Sequence, residues 1–382
     1  MLFSSNLFLF LFLPGTLLGY YLLHRRLRNP FLLLVSLVFY AWGTGKFVVM
    51  MVASALFNYG AALVLDRLKN PALRKWSLAV TVAGNLSLLF VYKYLDFFIT
   101  NINHFGLNLP LQHIALPLGI SFFTFQAMSY SLDVYMGRAQ VQKNPLNVVL
   151  YVAFFPQLVA GPIVRYQTIA DQIQHRTETV DDFCEGIRRF ILGFAKKIIL
   201  SNNMALIADA VFADPGRSVL YAWMGALAYS FQIFFDFSGY SDMAIGLGRM
   251  FGFEFMENFN YPYISKSITE FWRRWHISLS TWFREYLYIP LGGNRCSRGR
   301  WLLNLLIVWC ATGIWHGASW NYLLWGLYFY VLLVSEKLLW GSFLERLPGW
   351  LRHGYVIVLV LISWAIFALE DFSRLGKYLS AM

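Results

Sequence analysis

Long apolar runs alternate with short polar connections along the whole sequence. Several runs approach the roughly 17–25 residues that a helix needs to cross a bilayer, and no alternating ten-residue pattern typical of a transmembrane barrel dominates. Inside lipid, only helices or a closed barrel satisfy the backbone polar groups. The pattern therefore predicts an all-α, polytopic transmembrane helix bundle forming one membrane domain, 1–382. The predicted apolar segments are Leu2–Leu23, Phe31–Trp42, Phe47–Leu65, Ser77–Leu95, Pro117–Tyr135, Leu220–Phe237, Met243–Phe255, Trp301–Trp315, Trp320–Leu339 and Tyr355–Leu369.

Three segments depart from simple spanning helices. Phe31–Trp42 is short, since about twelve residues rise only roughly 18 Å along a helix. Pro156 and the Gly161-Pro162 pair interrupt Val148–Ile163 and favour a re-entrant segment. Phe183–Leu200 carries four basic residues among apolar ones, which predicts an amphipathic helix at the cytoplasmic surface. Its role is left open between anchoring to anionic lipid and attracting an anionic cofactor.

Composition and charge placement support a membrane protein. Charged residues make up 13% of the chain, against about 25% in soluble domains. The net charge of +11 comes from Lys and Arg in short loops, as the positive-inside rule requires, so a nucleic-acid partner is not expected. Loops 24–30 and 66–76 are basic and predicted cytoplasmic, whereas 96–116 lacks Lys and Arg and is predicted external. The first run has no cleavage signal and is predicted to be a retained helix with its N-terminus outside.

Familiar catalytic and metal motifs are missing from the sequence. Cys184, Cys296 and Cys310 have no metal-binding spacing, so no metal site is predicted. The sequence also lacks a GxSxG elbow, a P-loop, an HExxH helix and a Gly-rich dinucleotide motif. No permanently bound cofactor is expected, and no cofactor-binding residues can be assigned.

His316 is the leading catalytic candidate. Basic residues at 295–300 and charged residues at 336–352 place both ends of the Trp301–Trp315 and Trp320–Leu339 pair on the cytoplasmic side. The pair is then an inserted hairpin with His316 near its tip, because fifteen helical residues rise roughly 22 Å. A histidine deep in an apolar segment is costly and marks a functional site. Gly313 and Gly317 beside it permit close helix approach.

His276 is the second catalytic candidate. Ser267 and Glu270 form a capping box that predicts a helix starting at Ile268. On this helix Trp272 and His276 are expected to share a face at i, i+4, in the membrane interface or in the wall of a cavity. A buried neutral histidine can act as a general base that activates a hydroxyl toward a thioester. The alternative is that His276 only packs at the interface.

Two aspartates lie between apolar segments. Asp236 and Asp242 flank the run Phe-Ser-Gly-Tyr-Ser between Leu220–Phe237 and Met243–Phe255. Carboxylates at the end of an apolar segment are expected to face a wet cavity or partners. Either one of them orients a catalytic imidazole, or both are solvated or capping residues.

Several stretches together resemble the membrane-bound O-acyltransferase family in its bacterial branch. They are FWRRWHISLS at Phe271–Ser280 within the run Tyr261–Asn294, GIWHGASWNY at Gly313–Tyr322, and DFSGYSDMA at Asp236–Ala244. Within the branch, the sequence is most similar to the membrane subunits of alginate O-acetyltransferases and their peptidoglycan- and cellulose-acetylating relatives. The resemblance implies helices around a central funnel or tunnel, with His316 as the intramembrane catalytic residue and His276 as the second signature position.

The resemblance also implies a function and partners. A multi-pass protein of the cell inner membrane would take acetyl from cytoplasmic acetyl-CoA and pass it outward for O-acetylation of a polysaccharide. The final transfer usually involves a separate periplasmic or surface-anchored acetyltransferase. Members of the branch are expected to continue beyond the position of Met382 with further helices. Two alternatives remain: a proton-coupled transporter or flippase, and, within the family, a D-alanyl transferase that depends on a carrier protein.

Overall fold

The computed structural model describes residues 1–214 and 218–382. Helices are the only regular secondary structure in these two ranges, so the predicted all-α class is confirmed. The chain forms two compact units. The first comprises Met1–Phe194 and Asp242–Met256, and the second comprises Ala195–Ser241 and Glu257–Met382.

The first segment of the first unit, Met1–Phe194, contains eleven α-helices, and the chain re-enters this unit at Asp242. Buried amides link three of them: Asn58 and Asn85 exchange two hydrogen bonds of 2.9 and 3.0 Å, and Ser131 donates to Asn58. Such polar contacts bind helices together where lipid removes the hydrophobic driving force. The helices are α1 Leu13–Leu22, α2 Arg25–Thr44, α3 Phe47–Arg67, α4 Pro71–Leu89, α5 Leu95–Asn103, α6 Ile120–Tyr135, α7 Pro145–Ala153, α8 Phe155–Leu158, α9 Tyr166–Ile169, α10 Gln172–His175 and α11 Val180–Ala195.

The second unit is built around an aromatic core. Trp272 packs edge-on against Trp309 and Phe329 at ring distances of 4.9 and 4.8 Å, and Trp275 lies 4.8 Å from Trp364. Each such pair contributes about 0.5–1.5 kcal/mol beyond its buried area. The helices are α12 Asn202–Ala213, α13 Val219–Met250, α14 Ile268–Arg274, α15 Ile277–Phe283, α16 Arg298–His316, α17 Trp320–Ser335, α18 Gly341–Arg346, α19 Gly349–Ala368 and α20 Phe372–Ala381. The part of α13 from Asp242 onward belongs to the first unit.

Five helical stretches in the described part of the chain are long and apolar enough to cross a membrane. Several include a π-helical turn, as at Phe90–Tyr94 between α4 and α5. The predicted multi-pass membrane protein is therefore confirmed. The stretches are Phe47–Arg67, Pro71–Asn103, Val180–Ala213, Trp320–Arg346 and Gly349–Ala368.

Some predicted boundaries were wrong. The helix containing Phe31–Trp42 is longer than the apolar run, because α2 begins at Arg25 and ends at Thr44. The basic amphipathic helix continues through a π-helical turn into α12. The two apolar segments around Asp236 and Asp242 form the single helix α13, with no break at the aspartates. Val148–Ile163 is interrupted as its prolines predicted, with α7 and α8 on either side of Phe154.

Candidate active site

The α16–α17 hairpin has His316 at its tip. His316 is the last residue of α16. A Cβ at Gly313 would lie 2.3 Å from the backbone oxygen of Tyr322, and one at Gly326 would lie 2.4 Å from that of Trp309. A side chain at either position would clash with backbone, so glycine is required for the two helices to approach this closely. The two helices therefore pack together as a hairpin with His316 at its tip, as predicted, and the glycines set the position of His316.

Three aromatic rings hold the imidazole of His316. The ring is half-buried, and its centroid lies 5.1 Å from that of Trp325 and 5.2 Å from those of Phe367 and Trp315. All three contacts are edge-on, at interplanar angles of 80–84°. Such T-shaped packing restricts rotation of the ring. His316 is therefore fixed in orientation while part of its surface remains accessible.

His276 lies between two helices and not on the helix that was predicted to carry it. α14 ends at Arg274, and α15 begins at Ile277. His276 is 2% exposed and has a φ of 44°, in the left-handed region that non-glycine residues rarely adopt. The expectation that Trp272 and His276 share a helical face was wrong, because the backbone leaves the helix before His276.

The buried side-chain amide of Asn258 lies next to His276, and the sequence pattern did not indicate this residue. The Oδ1 atom of Asn258 is 3.0 Å from His276 Nδ1. The same oxygen accepts hydrogen bonds from the backbone N–H and the hydroxyl of Ser278, at 3.3 and 2.8 Å. Asn258 Nδ2 donates to Ser241 Oγ at 3.0 Å. Asn258 lies 18 residues before His276 in an irregular segment, so no helical spacing connects the two.

The start of α14 is capped twice. The Ser267 hydroxyl accepts from the backbone N–H of Glu270 at 3.0 Å, as the capping box predicted. The buried carboxylate of Glu336 accepts from the backbone N–H groups of Ile268 and Thr269 at 2.8 and 3.1 Å, and from the Thr269 hydroxyl at 2.7 Å. A negative charge at a helix N-terminus is stabilising. Sequence reasoning used Glu336 only as a charge marking the end of a membrane segment.

The two aspartates both have cationic partners. Asp236 forms an ion pair with Lys197, and Asp242 lies 2.7 Å from Arg189. The expectation that these carboxylates face partners is confirmed. The group found beside Nδ1 of His276 is the amide of Asn258, not a carboxylate.

His276 and His316 line the same cavity, which has a volume of about 300 Å³. The structure thus brings the two predicted site residues together, although 40 positions separate them in the sequence. Most of the wall is apolar or aromatic, as is usual for small-molecule sites. The other lining residues are Thr269, Trp272, Arg273, Trp275, Leu279, Ser280, Phe283, Arg284, Tyr288, Leu305, Val308, Trp309, Thr312 and Leu333.

Burial determines the protonation of His276, which lies outside the helices that could cross a membrane. Removal from water holds the pKa of His276 well below its ordinary value, and the nearby charge of His316 lowers that pKa further. Desolvation disfavours the charged form of an imidazole. His276 is therefore neutral near neutral pH and carries a lone pair that can accept a proton.

A second, larger cavity of about 540 Å³ has part of its lining in common with the first. Its wall is more polar and includes the basic residues Arg273, Lys337 and Arg352 and the acidic residues Glu336 and Glu345. The residues that line both cavities are Thr269, Arg273, Tyr288, Leu305 and Leu333.

Among residues 1–214 and 218–382, no group of three or more His, Cys, Asp or Glu side chains could hold a metal ion.

Residues 73–370 match the family described as MBOAT, membrane-bound O-acyltransferase family. This match covers well over half of the chain. The chain belongs to the membrane-bound O-acyltransferase family. Its apolar helices and its family therefore agree: the protein is a membrane O-acyltransferase, as the resemblance predicted.

Three relatives within the O-acyltransferase family have informative names. The probable alginate O-acetylase AlgI of Pseudomonas aeruginosa is 46% identical over 389 residues, covering 100% of this chain and 75% of that protein. The peptidoglycan O-acetyltransferase of Helicobacter pylori is 36% identical, covering 100% of this chain and 80% of its own. The teichoic acid D-alanyltransferase of Bacillus subtilis is 30% identical, covering 69% of this chain and 70% of its own.

Proposed function

We propose that this O-acyltransferase takes acetyl from cytoplasmic acetyl-CoA and passes it outward for O-acetylation of an alginate-like polysaccharide. The observation that carries the proposal is the pair of histidines, His276 and His316, in the wall of one small cavity. The name of the Pseudomonas aeruginosa relative supports alginate as the acceptor. Its higher identity favours acetyl over the D-alanyl group named for the Bacillus subtilis relative.

The proposed reaction needs one base and a bound thioester. The hydroxyl oxygen of the acceptor attacks the thioester carbonyl carbon while His316 accepts the hydroxyl proton. The new C–O bond forms, the C–S bond breaks, and the CoA thiolate leaves and takes up a proton. Proton transfer by a positioned side chain typically accelerates such a step by about 10²–10⁴-fold. His276, neutral and in the same cavity, assists by accepting or orienting a proton.

The larger cavity is the proposed binding region for the body of the donor. Arg273, Lys337 and Arg352 line it, and cationic side chains suit the phosphates of CoA. Lys337 lies 4.4 Å over the ring of Trp301, which holds its charge near the cavity. The lining common to both cavities shows that they adjoin, which supports a route for the thioester arm toward the histidines.

The proposed setting is the cell inner membrane, with the N-terminus outside. Basic loops on one side, and the connection 96–116 without Lys or Arg on the other, support this orientation. The acceptor side would then be extracytoplasmic. A separate periplasmic or surface-anchored acetyltransferase is the proposed partner that carries the acetyl group to the polymer.

The donor is tested with purified protein in proteoliposomes. We expect release of free CoA from labelled acetyl-CoA, and transfer of label to an acceptor oligosaccharide, when that oligosaccharide and the proposed partner acetyltransferase are both present. Turnover that requires a D-alanyl carrier protein instead of acetyl-CoA would support the family alternative. Movement of an intact solute with no CoA released would support a transporter.

The pH dependence of this reaction tests the state of His276. Because burial keeps the pKa of His276 well below its usual value, protonation of His276 adds no loss of kcat near pH 6.5, the ordinary pKa of histidine. The wild type and His276→Gln should therefore have the same relative pH dependence around that pH. The His276→Gln variant should lose activity by roughly a hundredfold, at the lower end of the range of general base catalysis. Rates at a series of pH values check both points. A fall in kcat near pH 6.5 that is present in the wild type and absent in His276→Gln, or a His276→Gln variant as active as the wild type, would contradict the assignment.

A further inference from the structure

The orientation of the Asn258 amide is fixed by its neighbours. A backbone N–H can only donate, and that of Ser278 points to one end of the amide at 3.3 Å. The atom at that end must therefore be the carbonyl oxygen, Oδ1. The other end, Nδ2, lies 3.0 Å from Ser241 Oγ and donates to it.

The amide in turn determines the tautomer of His276. Asn258 Oδ1 lies 3.0 Å from His276 Nδ1 and can only accept a hydrogen bond. A neutral ring with its proton on Nε2 would place two lone pairs against each other at this distance. The Ser278 hydroxyl, 3.4 Å from Nδ1, does not offer Nδ1 a proton, because it donates to Asn258 Oδ1 at the shorter distance of 2.8 Å. The proton is therefore on Nδ1, which donates to Oδ1. His276 Nε2 is buried and has no hydrogen-bond partner among the described residues.

We propose that Asn258 is a positioning residue that holds His276 in the Nδ1–H tautomer and so leaves the lone pair of Nε2 to accept or orient a proton beside His316. Asn258 is 1% exposed and both Ser278 and Ser241 are also buried, so water does not compete for the hydrogen bonds of the Asn258 amide. The backbone adds a further link, because Ile277 N donates to the carbonyl oxygen of Asn258 at 2.9 Å. A second group that fixes the tautomer of a catalytic histidine is a general device, and here an uncharged amide serves this purpose.

An uncharged partner matters because of the groups that face His276. His316, Arg273, Arg284 and Tyr288 line the same cavity. From α13, Phe237 packs edge-on against the imidazole at 4.6 Å, and the neighbouring Asp236 is paired with Lys197. From α16, Trp315 lies 6.1 Å away. A carboxylate in place of the Asn258 amide would stabilise the imidazolium and raise the pH below which the base is lost, whereas an amide orients the ring without charging it.

The tautomer is measured without any activity assay. Protein with nitrogen-15-labelled histidine is reconstituted in lipid, and the ring nitrogens of His276 are assigned by comparison with His276→Gln. We expect a protonated Nδ1 and an unprotonated Nε2 in the wild type, and a change of tautomer in Asn258→Leu. A wild-type ring protonated on Nε2 alone would overturn the proposal.

The catalytic consequence, which rests on the proposed function, is measured as pH–rate profiles. We expect Asn258→Leu to lower kcat roughly a hundredfold with little change in the KM for acetyl-CoA. Asn258→Asp retains the acceptor, so part of the activity should return, with the acid limb shifted to higher pH by about one unit or more. The matched control is Asn304→Leu, which removes another fully buried amide of the same unit and should leave the profile unshifted.

The two proposals fail in different ways. If the wild type has the Nδ1–H tautomer but releases no CoA from acetyl-CoA, the proposed donor is wrong and the positioning role stands. If the wild type is active, but the wild type, Asn258→Leu and Asn258→Asp all have the same pH profile and the same tautomer, the positioning role is wrong and the proposed function stands. Loss of folding in Asn258→Leu would show as aggregation, and Asn258→Asp then decides the matter alone.

Discussion

Replacement of His316 by alanine is expected to lower the acyl-transfer rate about a thousandfold, within the range that a positioned general base contributes. The reason is its place at the hairpin tip, in the wall of the cavity, with its ring held by Trp325 and Phe367. The KM for acetyl-CoA should change much less, because the proposed donor region is the larger cavity. Rates of CoA release and of polysaccharide acetylation provide the measurement.

The control for this substitution is His353→Ala. His353 is also partly buried in the second unit, where its ring bonds to the backbone oxygen of Ser265, but it does not line the cavity. It should retain near wild-type rates. If His316→Ala releases CoA and acetylates polysaccharide at the wild-type rate, His316 is not the base. Mass spectrometry of the rapidly quenched wild type distinguishes direct transfer from an acetyl group held on the His316 ring.

Replacement of Glu336 by leucine is expected to destabilise the protein by about 3 kcal/mol, because it leaves buried N–H groups of α14 without acceptors. The carboxylate of Glu336 accepts from Ile268 N, Thr269 N and the Thr269 hydroxyl. Thr269 lines both cavities, so activity should fall together with thermal stability. The Tm of detergent-solubilised protein and the rate of CoA release check the two effects.

Two variants separate the cap from the charge. Glu336→Gln keeps an acceptor oxygen and should lose less than half as much stability as Glu336→Leu. Glu345→Leu removes an exposed carboxylate that, like Glu336, lines the larger cavity, and it should leave the Tm nearly unchanged. Equal destabilisation by Glu336→Leu and Glu345→Leu would show that the cap of α14 is not what matters.

Local patterns predicted the parts of the site that depend on neighbours in sequence. Ser267 and Glu270 gave the start of α14 correctly, because a capping box is a four-residue motif. The hairpin with His316 at its tip followed from two apolar runs joined by a short turn, and Gly313 indicated close packing. The same reasoning gave the all-helical membrane fold, because lipid leaves the backbone few alternatives.

Contacts between distant residues could not be predicted in this way. Asn258 reaches His276 from an irregular segment, and Glu336 caps a helix 67 and 68 residues earlier. The left-handed backbone at His276 ended α14 early, and nothing in the side-chain pattern indicated this conformation. The unbroken course of α13 was also missed, because the cations that neutralise Asp236 and Asp242 come from other helices.

The size of the cavity that holds the two histidines limits which acyl groups can react. A volume of about 300 Å³ is at the lower end of the roughly 300–1,000 Å³ found for small-molecule pockets. The reacting end of the acceptor must share this volume with the thioester. A two-carbon group leaves room for a sugar hydroxyl, whereas a fatty acyl tail would fill the space that the sugar needs. If the donor is the proposed acetyl thioester, the protein would thus discriminate by chain length through steric exclusion.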